Sequence, residues 1–245
     1  MKPEIVERTI MEDFLSRCGL EPEHLELSRT YKNLIMPEIK SGKNAELCFV
    51  KVVISKKRYV YVFKGRKDEM EKEAQGYLEN PALSPPLVSY GMNPYYVLTA
   101  YSGRGLDDLS PNELTEELFF KVGVNLRELK RNHGDFDPAN IILNEVPYDG
   151  PALSRPDAKK SVLSIDYSLY GERDKMWDLA NLLTPMIEDA KFFGKLELAT
   201  KGTLAGFGEQ VSINELEKRI AERAEDEHAV KVIMETVRKI QNKIN

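Results

Sequence analysis

Two kinds of hydrophobic pattern follow one another along the chain. β-Branched and aromatic residues dominate residues 46–54 and 58–64, and the short polar link between them predicts a β-hairpin. Residues 95–101 predict a third strand. Apolar residues recur at helical spacing in residues 3–17 and 68–79, which predicts an amphipathic helix in each. The first part of the chain is therefore expected to combine strands with one main helix.

The second part of the chain is mostly helical in pattern. Ser110–Glu113 combines a capping box with proline at the first helical position, which predicts a helix from there to Arg131. Two short apolar segments follow at 141–143 and 162–165, and the polar stretch 146–160 between them reads as a surface loop. These features predict a helical region interrupted by a short hairpin.

The C-terminal third adds further helices. Trp177–Leu183 begins a helix that Pro185 disturbs. Ser212 opens a second capping box, and apolar residues at spacings of three and four run through residues 230–244. This stripe is typical of core packing, and it fits an intramolecular core as well as an oligomer, so the oligomeric state stays open.

Together these patterns predict an α+β fold with two lobes. Residues 1–102 would form a small antiparallel-sheet lobe with one main helix, and residues 103–245 a mostly helical lobe. The proline-rich residues 80–94 cannot be helical. The connector at residues 102–105 marks the boundary, and a cleft is expected where the lobes meet.

Composition narrows the functional classes. Hydrophobic residues make up 42% and charged residues 31% of the 245 residues, which suits a soluble globular protein. No apolar run approaches the roughly 20 residues needed to cross a bilayer, and the N-terminus does not read as a secretion signal. Two cysteines are too few for a disulfide framework, so a cytoplasmic location is expected. The net charge of −5 argues against a nucleic-acid partner.

The strongest chemical signal is the segment from His133 to Leu143. A helix is predicted to end before it, and a short strand ends it, so residues 133–140 form a polar loop. Phosphoryl transfer needs a carboxylate that orients the attacking hydroxyl and oxygen ligands for magnesium. This loop offers both, with Asp135 at the hydroxyl and Asn140 on the metal.

A second carboxylate follows the next apolar strand. Asp166 ends the segment from Val162, and at that position it would point into the cleft and bind magnesium that bridges the phosphates. The alternative, an aspartate that caps a turn, is equally consistent with this segment alone.

A lysine in the N-terminal sheet completes the set. Alternation places Val62 and Lys64 on one face of their strand, where Lys64 could contact phosphate and Val62 could cover the nucleotide base. A carboxylate on the following helix would hold Lys64 in place. Periodicity does not choose between Glu71 and Glu73.

These motifs, in this order, resemble the aminoglycoside phosphotransferase and choline kinase family over about residues 41–183. The resemblance rests on the strand lysine, the helix glutamate, the loop HGDFDPANIIL, the strand aspartate and the Trp-Asp-Leu-Ala sequence at 177–180. It implies a two-lobed protein kinase-like fold and an ATP- and magnesium-dependent kinase that acts on a hydroxyl group of a small, sugar-like or cationic molecule.

The resemblance also assigns roles to individual residues. It implies Asp135 as the base, Asn140 and Asp166 as metal ligands, and Asp178 as a structural residue that bonds back to the catalytic loop. It selects Glu73 as the partner of Lys64. For ATP it implies a phosphate-covering turn, a backbone contact to adenine and a residue behind adenine, which fall on Ser41, Gly42, Thr99, Tyr101 and Leu98.

Two departures from the family pattern leave alternatives open. The chain has no GxGxxG sequence, which favours a nucleotide-binding pseudokinase as one alternative. The connector near residue 103 and the loop at residue 133 are close in sequence, so the helices that shape an acceptor pocket in small-molecule kinases are missing there. That short interval favours an atypical, RIO-type protein kinase as the other alternative.

Overall fold

In the computed structural model, the structure describes residues 3–21, 24–28, 45–54, 56–66, 71–92, 95–208, 211–224 and 226–244. It has the two-lobed α+β architecture that the sequence predicts, with an antiparallel sheet followed by helices. No helix in these ranges is both long enough and apolar enough to cross a membrane.

The N-terminal sheet has five antiparallel strands in the order β1-β2-β3-β5-β4. Its strands are β1 (His24–Ser28), β2 (Ala45–Ile54), β3 (Lys57–Arg66), β4 (Leu87–Met92) and β5 (Tyr95–Ala100). The predicted hairpin and third strand are confirmed as β2, β3 and β5. The edge strands β1 and β4 did not stand out in the sequence, because β4 follows three prolines within a stretch that reads as irregular.

Two helices accompany the sheet, α1 (Pro3–Arg17) and α2 (Glu71–Glu79), and both agree with the predicted helices. Helix α1 packs on the outer face of the sheet, where Leu15 is fully buried in one cluster with Val52 and Leu98. Helix α2 instead contributes Ala74 and Tyr77 to the core of the helical lobe. The two helices therefore cover different sides of the sheet.

The C-terminal lobe is built around helices and one small hairpin. The helices are α3 (Glu116–Glu128), α4 (Lys175–Leu183), α5 (Pro185–Glu188), α6 (Ala190–Phe193), α7 (Leu196–Phe207), α8 (Ile213–Arg223) and α9 (Glu227–Ile244). The hairpin pairs β6 (Ile141–Leu143) with β7 (Val162–Ser164). This hairpin matches the two short apolar segments in the sequence, and Ser212 caps α8 as predicted.

The predicted start of α3 at Ser110 is wrong. The Ser110 amide and hydroxyl do bond to Glu113, at 2.9 and 2.8 Å, but these bonds close a turn. The helix begins at Glu116, and Thr115 is its N-cap, with its hydroxyl accepting from the amide of Leu118. Leu114, just before this cap, is buried although it belongs to the turn and not to the helix.

Helices α3 and α7 lie backbone against backbone. A Cβ added to Gly206 would lie 1.9 Å from the Phe120 carbonyl oxygen, and one on Gly123 would lie 2.1 Å from that of Thr203. Only glycine permits such an approach. This contact fixes the helix that precedes the loop at residues 133–140.

Candidate active site

The two lobes enclose a cleft with a volume of about 300 Å³. Its walls come from β3 and β5, the connector, the loop before β6 and the turn after β7. Seven residues singled out in the sequence line it, namely Val62, Lys64, Glu73, Thr99, Tyr101, Asn140 and Asp166. The fold thus brings together residues that are up to 104 positions apart in the chain.

Lys64 lies at the centre of the cleft. Its Nζ is 2.9 Å from Glu73 and 2.7 Å from Oδ1 of Asp166. Burial acts to lower the pKa of Lys64, but the carboxylates of Glu73 and Asp166 outweigh it and raise that pKa. Lys64 is therefore held as a cation at the junction of the two lobes.

Glu73 is the carboxylate on α2 that pairs with Lys64. Its side chain is 1% exposed, whereas Glu71 is exposed at the start of the same helix. Helical geometry explains the difference, because Glu73 and the buried Ala74 and Tyr77 share the side of α2 that packs inward.

Asp166 follows β7 in a left-handed backbone conformation, with φ of 60°. This conformation is uncommon outside glycine and is best tolerated by Asp and Asn. The Asp166 amide points to the hydroxyl of Tyr77 at 3.5 Å. Burial acts to raise the pKa of Asp166, but Lys64 outweighs it and holds that pKa below its usual value. The carboxylate therefore stays ionised.

The loop before β6 is anchored from α4. Oδ2 and Oδ1 of Asp178 accept the amides of His133 and Gly134 at 2.7 and 2.8 Å. Gly134 has φ of 87°, and a Cβ there would meet the Leu169 carbonyl oxygen at 2.2 Å, so this position requires glycine. Burial raises the pKa of Asp178 to about 7, although both amide bonds act against that shift.

Asp135 and Asn140 are hydrogen-bonded to each other. Nδ2 of Asn140 donates to the carbonyl oxygen of Asp135 at 2.9 Å and to its Oδ2 at 3.3 Å. Burial and the nearby charge of Asp166 raise the pKa of Asp135. A carboxylate with a raised pKa is a stronger base, which is the property that proton abstraction from a hydroxyl needs.

His133 braces the loop from inside. It is fully buried, its Nε2 lies 2.9 Å from the Ile165 carbonyl oxygen, and its Nδ1 faces the amide of Asp135 at 3.4 Å. One neutral tautomer satisfies both contacts, with the proton on Nε2. Burial lowers the pKa of His133 to about 4.

Of the residues expected to contact adenine and the phosphates, some line the cleft and others do not. Thr99 pairs with Val62 across β3 and β5, and both line the cleft. Leu98 does not line the cleft, because strand alternation turns it to the outer face with α1. The amide of Tyr101 already donates to the Val60 carbonyl oxygen at 2.8 Å. Ser41 and Gly42, the expected phosphate-covering turn, lie outside the described residues.

Sequence reasoning missed several residues at the site. Ser102, Asp107 and Ile142 line the cleft. The connector and the strand after the loop were predicted from the sequence, but the directions in which these side chains point were not. A support for the loop was also missed. Asn181 donates to the Gly134 carbonyl oxygen at 3.2 Å and accepts from Nε of Arg223 at 3.0 Å, and no local pattern links these three positions.

The donor set of this cleft fits a magnesium ion. Nδ2 of Asn140 is taken by Asp135, which leaves its Oδ1 as the oxygen available to a cation, and Asp166 adds an ionised carboxylate in the same cleft. Magnesium prefers such oxygen ligands and usually keeps water and phosphate as the others. No group of three or more His, Cys, Asp or Glu side chains in the described ranges could hold a metal by itself.

Comparisons with known proteins give only distant similarities. No family model matches the sequence, and no curated protein does. A choline/ethanolamine kinase family protein from Mesorhizobium loti is similar in structure, with 13% identity, a TM-score of 0.46 and coverage of 79% of this chain and 76% of that one.

Two further solved structures are similar over most of the chain. WaaP, solved in complex with acyl carrier protein, is 15% identical, with a TM-score of 0.45 and coverage of 94% and 92% of the two chains. The choline kinase LicA from Streptococcus pneumoniae is 11% identical, with a TM-score of 0.40 and coverage of 96% and 99%. At these values the similarities do not define the activity, substrate or partners of this chain.

Proposed function

We propose that this protein is an ATP- and magnesium-dependent phosphotransferase that moves the γ-phosphate to a hydroxyl group of a small molecule. The observation that carries the proposal is the contact of Lys64 with both Glu73 and Asp166, in one cleft with Asn140 and next to Asp135. A phosphate-binding lysine held by a buried carboxylate, a metal carboxylate and a loop Asp–Asn pair are the parts that phosphoryl transfer requires.

In this proposal the two lobes bind different parts of the reacting molecules. Residues 1–102 cover the nucleotide, and residues 103–245 carry the catalytic loop and the acceptor side. Val62 packs on the adenine ring, and Lys64 binds phosphate oxygens. The Tyr101 amide is engaged with Val60, and the Ala100 carbonyl oxygen accepts the Ser102 hydroxyl at 3.4 Å, so the Ser102 amide is the better candidate for the adenine edge. That amide has no acceptor within the part of the chain that the structure describes.

The chemical step depends on Asp135. Its carboxylate accepts the proton of the acceptor hydroxyl as the oxygen attacks the γ-phosphorus, and ADP leaves on the opposite side. Asn140 fixes the rotamer of Asp135 through their hydrogen bond. A magnesium ion held by Asn140 and Asp166 supplies charge neutralisation on the phosphates when it is bound.

Asp107 and Asp108 line the cleft as well as Asp166, so acidic side chains predominate there. Burial also raises the pKa of Asp137; the nearby charges of Asp135 and Asp107 act in the same direction, whereas the bond from the Ala139 amide and the charge of Arg223 partly offset them. A negative field of this kind favours an acceptor that carries a positive group, such as an amino sugar or an amino alcohol. The exposed free thiol of Cys18 suits a reducing compartment such as the cytoplasm.

The test is ATP consumption with magnesium across aminoglycosides, choline, amino alcohols and sugars, with Asp135→Asn as the blank. Turnover of one compound that the variant loses supports the proposal and names the acceptor class. Transfer of label from ATP only to proteins of a cell lysate would favour the protein kinase alternative, and nucleotide binding without any transfer would favour a pseudokinase. Replacing ATP with GTP in the same assay establishes the nucleotide preference.

A further inference from the structure

The connection between β6 and β7 is far longer than its hairpin needs. Two antiparallel strands can be joined by about two residues, and most hairpin loops have about two to five. Here residues 144–161 make the connection. We call residues 144–160 the strap, because their contacts extend from one lobe to the other.

Both ends of the strap are fixed in the helical lobe. Leu143 pairs with Val162, and both pack in the core of that lobe. Asn144 closes the base, because its amide donates to the Ser161 carbonyl oxygen at 3.0 Å and its Nδ2 donates to that of Lys160 at 2.9 Å. The two ends therefore move with the helical lobe.

The tip of the strap packs on the sheet of the other lobe. The ring of Tyr148 lies edge-on to Tyr59 and Tyr61, with ring centroids 5.9 and 6.0 Å apart. Its hydroxyl lies 3.3 Å from that of Tyr61 and donates to the Pro151 carbonyl oxygen at 2.6 Å. Tyr148 thereby joins the cluster that α1 and the outer face of the sheet form.

Polar contacts add to this aromatic contact. Asp149 forms an ion pair with Lys57 at the start of β3 and accepts from the hydroxyl of Tyr59 at 3.2 Å. Arg155 binds the strap to itself, since its guanidinium donates to the carbonyl oxygens of Tyr148 and Gly150 at 3.3 and 2.5 Å. The tip therefore has a fixed shape and a fixed site on β3.

The middle of the strap is bonded to the region between the lobes. The amide of Leu153 donates to the Leu87 carbonyl oxygen at 2.7 Å, at the start of β4. The amides of Glu145 and Val146 both donate to the carbonyl oxygen of Ser102 at 2.8 Å, in the connector that lines the cleft. The strap thus runs along the connector and the start of β4.

We propose that the strap limits the rotation of the N-terminal sheet relative to the helical lobe. A rigid rotation about the connector would move β3 past Tyr148 and Asp149, and it would have to break the ring contacts and the ion pair with Lys57. None of the strap residues lines the cleft, so the strap acts on the lobe arrangement and not on the ligand. This proposal does not depend on the identity of the substrates.

The distance between the lobes tests this directly. Spin labels at Glu12→Cys on α1 and Ala205→Cys on α7, both exposed, report it in a Cys18→Ser, Cys48→Ser background. In the nucleotide-free protein we expect Tyr148→Ala/Asp149→Ala to widen the distance distribution about twofold, and amide hydrogen exchange at Leu153 and Tyr101 to rise about tenfold. Asp149→Ala alone, at an exposed position, should shift both in the same direction by less.

The matched control is Glu117→Ala, which breaks an exposed ion pair with Lys121 on α3 and should leave both measurements unchanged. An unchanged distance distribution in both strap variants would overturn the proposal, as would faster exchange confined to residues 144–160. Because no ATP is present, these outcomes are independent of whether the protein transfers phosphate.

Discussion

Nζ of Lys64 lies 2.7 Å from Oδ1 of Asp166, although the two residues are 102 positions apart and belong to different lobes. The same ammonium group contacts Glu73 at 2.9 Å. One cation therefore ties β3, α2 and the turn after β7 together. The contact that positions phosphate in the proposed reaction is at the same time a link in the tertiary structure.

Replacing this lysine should cost stability as well as activity. Lys64→Met leaves the buried Glu73 carboxylate without its cation, and loss of one partner of a buried pair typically costs about 3–5 kcal/mol. Urea unfolding measures this change. Lys72→Met is the control, because Lys72 pairs with Glu172 at the surface, where an ion pair contributes about 0–1 kcal/mol. Equal losses in the two variants would contradict the role of Lys64.

The proposed metal-binding role of Asp166 can be tested without disturbing the backbone. Asp166→Asn keeps a residue type that tolerates φ of 60° but removes the negative charge. We expect magnesium-dependent turnover to fall by roughly 100-fold or more. Parent enzyme treated with EDTA should fall to a similar rate, and turnover in the variant close to that of the parent would exclude Asp166 as a metal ligand.

Asp135 and Asp137, the two carboxylates of the proposed catalytic loop, should behave differently. Asp135→Asn is expected to lower kcat by about 10²–10⁴-fold, the usual contribution of a general base, while the KM for ATP changes less than about twofold. Asp137→Asn is the matched variant, since Oδ1 of Asp137 accepts the amide of Ala139 at 2.9 Å and serves the turn. Steady-state kinetics decides, and a larger kcat loss in Asp137→Asn would reverse the assignment.

The sequence singled out the loop at residues 133–140, Lys64 and Asp166, which the structure brings to one cleft, because each combines a reactive side chain with a readable local pattern. The alternation of side chains along β3 predicted that Lys64 lies on its inward face. An apolar strand followed by an aspartate predicted the position of Asp166 after β7. Choosing Glu73 over Glu71 needed the resemblance, since both flank the apolar face of α2. The supporting bond from Arg223 to Asn181 joins separate helices, and no spacing rule reports such a contact.

The sequence did not predict α7, β4 or the correct start of α3, and each of these has a physical reason. Helix α7 is buried on most sides by α3 and α9, so small residues replace the apolar stripe that identifies a helix. Strand β4 follows a run of prolines. At Ser110 the capping bonds to Glu113 do form, but they close a turn, and Thr115 caps the helix instead.

Stability should fall in acid because of His133. Its pKa is lowered by burial to about 4 in the folded protein, against about 6.5 in an unfolded chain. The neutral form therefore stabilises the fold above pH 6.5, and this contribution is lost as pH falls from 6.5 towards 4, at up to about 1.4 kcal/mol per pH unit. Nuclear magnetic resonance of the His133 ring measures it. A midpoint near 6.5 would contradict this prediction.

The close contact of α3 with α7 predicts a sharp difference between two glycines. Gly206→Ala forces a methyl group against the Phe120 carbonyl, and such overpacking typically costs about 1–3 kcal/mol. Gly194→Ala should have little effect, because a Cβ there meets no atom within 4 Å. Thermal unfolding of both variants checks this. Equal melting temperatures would mean that the helices can separate at no cost.

One α-helix, α3, lies between the connector and the loop at residues 133–140, and its glycine contacts pack it closely against α7. In the proposed function, the residues assigned to phosphate, metal and base all precede Asp178 in the chain, and helices α5 to α9 follow it. Replacing α5 to α9 with the corresponding helices of another protein of this fold would therefore keep Lys64, Asp135 and Asp166, and would show whether the C-terminal helices carry acceptor preference.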